Sequence, residues 1–543
     1  MSRPAHDRHP AGKLEAPLRF VTAASLFDGH DAAINIMRRL IQAQGAEVVH
    51  LGHNRSVEDV VRAALQEDAD AIAISSYQGG HVEYFKYMVD RLCECGAGHV
   101  RVFGGGGGTI TPEEIAALQA YGVERIYHPN DGMHMGLVAM IEDVIARASE
   151  ARRRRPPRRQ PTAGERLHDE AAIGEVLSRI ETGELDEADL ARMQKGWELA
   201  GRGTPVLGLT GTGGAGKSSV MDELLLRFLH AFPDMRIAVL AVDPTRRRSG
   251  GALLGDRIRM NALHSERVFM RSMATRRQHA ATSRMLRECL GFLRAQDFDL
   301  VMLETAGIGQ SDSEIVDLVD FPIYVMTSDY GAPSQLEKID MLDFAELVVL
   351  NKYDRRGAED ALRDVRKQWR RNRVQFQLPD DAVPVYPTIA SQFNDPGVSW
   401  MFVELCRLLR DKLHLPAERW TPALDTSLRE PRATVLIPGH RTRYLAEIAE
   451  QGRSLRAAAE TQAEIASRAQ SCHDALRELA DPLLPAPLAL YDSADVIPAN
   501  AGSHGLASEG DASTSVDAGL GGHDGTIDRS LCILRQRYND AIQ

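Results

Sequence analysis

The stretch Gly211-Thr212-Gly213-Gly214-Ala215-Gly216-Lys217-Ser218 fits G-x-x-x-x-G-K-S/T, the pattern of a phosphate-binding P-loop. The apolar run Val206 to Leu209 before it reads as a strand. The run from Ser219 through Met221, Leu224, Leu225 and Phe228 reads as a helix. Strand, glycine-rich turn and helix in that order are the context the motif requires. The glycines let backbone N–H groups curl around phosphate oxygens, and the helix N-terminus adds the positive end of its dipole. Lys217 can reach the β- and γ-phosphates, and the Ser218 hydroxyl can bind Mg2+.

Outward from this loop, Leu347 to Leu350 is an apolar strand that ends in Asn351-Lys352-Tyr353-Asp354. This matches the N-K-x-D element of G proteins. A carboxylate at Asp354 can accept both hydrogens that guanine N1 and N2 present, and adenine offers no such pair. Lying roughly 140 residues after a P-loop, the element favours GTP over ATP. Two further strands deliver carboxylates. Ile237 to Val242 ends in Asp243-Pro244-Thr245, and Asp299 to Leu303 ends in Glu304-Thr305. The segment Gly250 to Met260 adds Asp256 and Arg259. Asp243, Asp256 and Glu304, with Thr305, are candidates to hold Mg2+ directly or through water, and Arg259 could contact phosphate. Lys217, Asp243 and Glu304 are the catalytic candidates.

Toward the N-terminus the chain alternates strand and helix. Leu18 to Thr22, Glu47 to Leu51, Ala71 to Ser75, Val100 to Phe103 and Arg125 to Tyr127 read as strands, with helical patterns such as Ala32 to Gln44 between them. Five such units imply a doubly wound, flavodoxin-like parallel sheet. Asp28-Gly29-His30-Asp31 follows the first strand, Ser75-Ser76-Tyr77 the third, and Gly104 to Gly108 the fourth. These loops converge at the carboxyl ends of strands, where such sheets bind ligands.

The expected organisation is a tail over 1–16, this first domain over 17–150 and a basic linker over 151–164. A P-loop G domain with N-terminal helices follows over 165–420, then a helical linker over 421–481 and a low-complexity tail over 482–543. The linker carries Arg152 to Arg155, Pro156 and Pro157, where charge repulsion and proline oppose helix. Residues 440–480 read as helix. Ala499 to Thr526 is expected to be disordered, and Asp528 to Gln543 could form a short amphipathic helix. The net charge of −12 argues against nucleic-acid binding. Six scattered cysteines argue against a disulfide framework or a zinc site and fit a reducing cytoplasm. No apolar run approaches the ~18 residues of a membrane span.

The first domain resembles the cobalamin-binding domain of the B12-dependent mutases, which carries D-x-H-x-x-G, S-x-L and a G-G pair. Asp28 and His30 match the first motif, with Ala33 at its final glycine. Ser75 matches the second, with Tyr77 in place of leucine, and Gly105 and Gly106 match the third. The resemblance implies that His30 is the lower axial ligand of cobalt and that Asp28 hydrogen-bonds its other ring nitrogen. It implies that Ser75 and the glycines line a slot for the nucleotide tail. The second domain resembles the G-protein chaperones of methylmalonyl-CoA mutase and the ArgK-type proteins, through Val242-Asp243-Pro244-Thr245 and the run Gly250 to Met260. By that resemblance Gly213, Gly214, Ala215, Gly216, Lys217 and Ser218 bind phosphates, and Asn351, Lys352 and Asp354 bind guanine. Ser218, Asp243, Asp256 and Glu304 surround Mg2+. Switch loops would lie in 244–258 and 305–316. Hydrolysis is expected to be slow until a partner or an inter-domain movement completes the site, with Gln310 a weak candidate to orient water.

The order of the two domains resembles the layout of the fused isobutyryl-CoA mutases, as does Val435 to Leu445, which is similar to the start of that family's helical linker. The family's acyl-CoA-binding (β/α)8 barrel needs ~250 residues, and too few follow Tyr491 to hold one. The expectation is a truncated fusion protein, or half of a split enzyme with a separate acyl-CoA-binding mutase subunit. Adenosylcobalamin, GTP or GDP and Mg2+ are the expected ligands, and a homodimer is expected. A stand-alone cobalamin carrier or sensor is the alternative. A metal-insertion GTPase of the hydrogenase or urease type would need His- or Cys-rich motifs, which neither the linker nor the tail offers.

Overall fold

Two parallel sheets organise the computed structural model, which describes residues 16–155, 165–245, 251–275, 279–305, 312–431, 443–496 and 524–543. In chain order the first five strands are β1 (Arg19–Ser25), β2 (Glu47–Arg55), β3 (Ala71–Ser75), β4 (Arg101–Gly105) and β5 (Arg125–Tyr127). The later ones are β6 (Val206–Gly211), β7 (Ile237–Pro244), β8 (Ala252–Leu254), β9 (Val268–Thr275), β10 (Leu300–Thr305), β11 (Phe321–Met326), β12 (Leu347–Asn351) and β13 (Val385–Thr388). The first sheet runs β5-β4-β3-β1-β2-β8, and the second runs β13-β12-β11-β6-β10-β7-β9. β1 and β6 are buried along their whole length. They are interior strands with helices on both faces, which is why they read as unbroken apolar runs. The loops that leave their carboxyl ends are the Asp28 and P-loop segments.

Two strands are absent from the sequence reading. β9 forms the edge of the second sheet and carries Arg271, which is fully buried. β8 comes from the G-domain part of the chain yet pairs with β2 of the first sheet, in the register Glu47↔Ala252, Val48↔Leu253 and Val49↔Leu254. Gly251 precedes it because a Cβ there would lie 2.3 Å from the carbonyl oxygen of Gln42.

The two sheets meet across a buried ionic network. Arg19 pairs with Glu47 at 2.7 Å and with Glu181 at 3.0 Å, and Arg271 pairs with Glu181 at 2.9 Å. Arg257 donates to Glu67 at 2.9 Å and to the side chain of Gln66 at 2.6 Å. Glu181 belongs to the helix Glu170–Thr182, whose Gly174 lies against the backbone of Leu65 and Gln66. The basic segment differs in part from a solvated linker. The helix Pro129–Arg153 runs into it, Arg152 holds Asp70 at 2.7 Å, and Arg155 holds Asp68 at 2.9 Å. Residues 156–164 lie outside the described residues.

The C-terminal unit is built on the helix Tyr444–Glu478, close to the expected span. The tail is not uniformly structureless. Tyr491, Val496, Leu531 and Tyr538 pack with Ala469 and Leu476, and the helix Asp524–Ile542 begins four residues before the expected one. Asp481 pairs with Arg535 and accepts from the Tyr491 hydroxyl at 2.9 Å. Composition missed this because a few aromatic side chains suffice when a long helix already offers them a surface. Val435 to Thr442 and the core of the expected disordered stretch lie outside the described residues.

Candidate functional site

The P-loop turns at Gly211, where a Cβ would stand 1.9 Å from the carbonyl oxygen of Val325 on the neighbouring β11. Gly216 holds φ +93, and a Cβ there would meet the Asn351 side-chain nitrogen at 2.5 Å. That nitrogen donates to the carbonyl of Ala215 at 2.8 Å, and Lys352 Nζ donates to the carbonyl of Gly214 at 2.7 Å. The first two residues of N-K-x-D therefore brace the phosphate loop, while Asp354 is exposed at the rim. Asn351 Oδ1 in turn accepts from Thr388 Oγ1 at 3.1 Å and from the Ala390 N–H at 3.0 Å. Sequence reasoning missed Thr388 and Ala390. The available signal was a polar residue closing the strand that follows N-K-x-D.

At the helix start, Ser218 Oγ donates to Glu304 Oε1 at 2.8 Å and lies 3.3 Å from Asp256 Oδ1. Lys217 Nζ donates to the carbonyls of Gly211 and Thr212 at 3.1 and 3.3 Å. Burial, and then the charge of Asp256, pushes Asp243 up to about 7. Burial, then Asp256 and more weakly Asp243, pushes Glu304 up to about 8. Asp243 Oδ2, Glu304 Oε2 and Thr305 Oγ1 are buried with no hydrogen-bond partner among the described residues. Unpaired buried oxygens and crowded carboxylates are the donors a hard cation takes, so the donor set fits Mg2+. Among the described residues no three His, Cys, Asp or Glu side chains form a ready-made cluster. Mg2+ in such a pocket takes several of its ligands from phosphate and water. Arg259 is exposed and lies 3.9 Å from Asp256. Gln310 and the rest of 306–311, within the expected switch segment 305–316, fall outside the described residues.

The second site lies at the carboxyl end of the first sheet. Asp28 is buried, and its Oδ1 accepts from the His30 N–H and pairs with His30 Nδ1, both at 2.9 Å. Its Oδ2 accepts from the Tyr77 N–H at 2.7 Å. A carboxylate committed to these donors fixes the proton on Nδ1 and leaves Nε2 as the lone-pair nitrogen. The His30 side chain is 77% exposed, so that nitrogen is accessible. Beside it opens a cavity of about 390 Å³, walled by Ile34, Met37, Phe103, Tyr127 and Met140 and rimmed by Gly104 to Gly107. Ser75, Ala33 and Tyr77 also line it, and Ser75 Oγ is buried without a partner among the described residues. An apolar slot with one unpaired hydroxyl, next to a histidine with a free nitrogen, fits the tail and cobalt of a cobalamin.

The glycine run has reasons of its own. A Cβ on Gly106 would stand 1.9 Å from the carbonyl oxygen of Ser76, and one on Gly104 would meet Phe85 and Ile126 at 2.5 Å. Gly107 holds φ +59 with the Tyr77 ring 2.6 Å from where its Cβ would be. Close approach of backbone to ligand is thus not what first demands these glycines; packing within the sheet end is. Gly105 is less constrained, since its Cβ would make ordinary contact with Tyr127. Asp28, His30, Ser75, Gly105 and Gly106 gather around one slot, whereas Lys217, Ser218, Asp243, Asp256, Glu304 and Thr305 gather at the other site.

Two known families match the chain in succession. Residues 18–134 match the B12 binding domain family. Residues 175–393 match the family Methylmalonyl Co-A mutase-associated GTPase MeaB. The chain is 50% identical over 458 residues to a fused isobutyryl-CoA mutase of Geobacillus kaustophilus, an alignment spanning 83% of this chain and 42% of that protein. It is 51% identical over 476 residues to the fused isobutyryl-CoA mutase of Cupriavidus metallidurans, spanning 87% of this chain and 42% of that one. GTPase ArgK of Escherichia coli is 36% identical over 149 residues, 27% of this chain and 44% of its own. The chain thus spans less than half the length of the fused mutases it matches.

Proposed function

The chain is a homologue of the fused isobutyryl-CoA mutases across its B12-binding and MeaB-type GTPase domains, and from that relationship we propose that it is their cofactor-handling part. It binds adenosylcobalamin and Mg2+·GTP, hydrolyses GTP, and uses the nucleotide state to gate loading and protection of the cofactor. The observation that carries this reading is the His30–Asp28 pair beside an apolar slot in the same chain as a braced P-loop.

When bound, adenosylcobalamin supplies cobalt–carbon homolysis for the rearrangement of isobutyryl-CoA to n-butyryl-CoA. His30 offers Nε2 to cobalt, Asp28 holds the ring, and Ser75, Gly105 and Gly106 border the tail slot. In the nucleotide pocket Gly213 to Ser218 wrap the phosphates, and Lys217 neutralises developing charge on them. Ser218, Asp243, Asp256 and Glu304 take Mg2+, with Thr305 beside them and Arg259 near phosphate. Asp354 reads guanine, with Asn351 and Lys352 holding the loop that presents it. The acyl-CoA substrate is bound by a barrel beyond these two domains, and isomerisation requires it. A cytoplasmic homodimer completes the reading. No described helix is long and apolar enough to cross a membrane.

The test is the visible spectrum of the purified chain titrated with adenosylcobalamin, with GTP and then GDP present. A histidine-on spectrum is expected, and His30→Ala should abolish it while GTP hydrolysis proceeds. An unchanged spectrum in His30→Ala would remove the assignment of His30 as the cobalt ligand.

A further inference from the structure

A short line of contacts runs from the nucleotide pocket to the loop that carries His30. It passes through β2 and the segment just after β8. Asp256, 3.3 Å from Ser218, is followed two residues later by Ile258. Ile258 sits on Gly52 of β2: a Cβ at Gly52 would lie 2.6 Å from Ile258 Cδ1, and Gly52 holds φ +87. Two residues on, Asn54 holds a left-handed backbone with φ +54. Its side-chain oxygen accepts from the Phe27 N–H at 2.7 Å, and its own N–H donates to the carbonyl of Asp28 at 3.3 Å. Phe27 is itself left-handed, with φ +62. Asn54 therefore clamps both residues that lead into the His30–Asp28 pair.

This stretch of β2 is also where the sheet's pairing is irregular, although Gly52 still pairs with Ala23 and Arg55 with Ser25. Pairing with β8 ends at Val49↔Leu254, and the β1–β2 register is irregular between Thr22 and Ala23 and again between Ala23 and Ser25. Arg257, between Asp256 and Ile258, is pinned by Glu67 and Gln66 of the first domain. A displacement at Asp256 is thus levered about Arg257 onto Gly52. With no side chain at Gly52, the push falls directly on backbone.

Resting on the reading of His30 as the cobalt ligand, we propose that Asn54 is a positioning residue for that histidine. We propose further that the Ile258–Gly52 contact makes its grip depend on what fills the nucleotide pocket. Mg2+·GTP and Mg2+·GDP place Asp256 differently, and the difference reaches the Phe27–His30 loop through Ile258, β2 and Asn54. The linkage is reciprocal, so cobalamin changes the relative affinity for the two nucleotides by the same factor.

The experiment measures adenosylcobalamin Kd and the histidine-on spectrum of the full chain in Mg2+·GTP and in Mg2+·GDP. The variants are Asn54→Gly, Asn54→Asp and Ile258→Ala. Asn54→Gly tolerates the left-handed backbone but loses the acceptor. It should weaken histidine-on binding by about tenfold, because the Phe27 N–H loses its acceptor and the loop that carries Asp28, the partner of His30, loses its clamp. Asn54→Asp keeps the acceptor and should restore binding. Ile258→Ala should retain cobalamin binding and GTP hydrolysis while the ratio of Kd values between nucleotides falls to one. Circular dichroism separates a folding defect from a binding defect. The proposal is overturned by wild-type binding in Asn54→Gly, by weak binding in Asn54→Asp that equals the glycine variant, by a retained ratio in Ile258→Ala, or by a wild-type ratio of one. A spectrum that His30→Ala leaves unchanged would instead remove the reading beneath it, and the two failures are distinguishable.

Discussion

Asp243 and Glu304 hold protons where an ordinary carboxylate does not. Burial and the nearby Asp256 raise them to about 7 and about 8. The sign of the pH dependence follows. An acid whose folded pKa is raised stabilises the fold most at low pH, below its unfolded value near 4. That contribution is lost progressively from about pH 4 and is gone once pH has risen through 7 and 8, because over that range the folded state holds protons the unfolded chain has released. Mg2+ reverses the balance by replacing those protons. In the presence of GDP, Mg2+ affinity should therefore rise between pH 6 and pH 8, by about tenfold per unit for each proton displaced. Isothermal titration in two buffers of different ionisation enthalpy measures both the affinity and the proton release. A flat Mg2+ affinity across that range would mean these carboxylates are not the cation's ligands. Their titration was invisible in the sequence, where Asp243, Asp256 and Glu304 appear 13 and 48 residues apart. Only the ends of β7 and β10, adjacent strands in the second sheet, bring Asp243 and Glu304 to the same side of Ser218.

At the scale of elements, each site is a set of turns at strand ends, and the turns are set by neighbouring backbone. Gly106 and Gly108 make the clearest contrast. A methyl group on Gly106 would strike the carbonyl oxygen of Ser76 at 1.9 Å, and one on Gly108 would meet nothing within 4 Å. Gly106→Ala should destabilise the first domain by about 1–3 kcal/mol, as overpacking does, and should displace Tyr77, whose N–H holds Asp28. Gly108→Ala should leave both melting temperature and cobalamin affinity near wild type. Thermal unfolding and cobalamin titration of the pair check this, and equal behaviour of the two would refute it. The same scale explains what the sequence made legible. β1, β3, β6, β10 and β12 are interior strands whose apolar runs end in a motif, so their positions could be read directly. β8 could not, because a three-residue strand has no periodicity and its partner β2 lies some 200 residues earlier. β9 carries Arg271, whose burial is tolerable only beside Glu181, Glu67 and Ser178 from elsewhere in the chain. The bracing of the P-loop by Asn351 and Lys352 is likewise tertiary. The motif reported which base to expect but not that two of its residues would hold the phosphate loop.

On the scale of the whole molecule, the two ligand-binding domains are joined by charges that cannot reach water. Glu181 lies between Arg19 of the first sheet and Arg271 of the second, at 3.0 and 2.9 Å, and the side chains of all three are at most 4% exposed. Crossing β8 and the Arg257–Glu67 pair add further ties on the same side. Replacing such a network with apolar groups can be nearly neutral, but removing one member leaves the others charged and buried. Glu181→Gln keeps the shape and removes the nearer of two carboxylates, Glu181 and Glu67, that both arginines share. It should lower stability by about 3–5 kcal/mol. Wild type should unfold its first two domains in one transition in urea, because neither can leave without exposing an unpaired arginine. Glu181→Gln should separate them, with loss of the GTP-binding signal and loss of the cobalamin-binding signal at different midpoints. Two transitions already present in wild type, or a shift below about 1 kcal/mol in the variant, would mean the network is a neutral substitute for an apolar seam. In that case the domains would communicate only through β2 and the segment that follows β8.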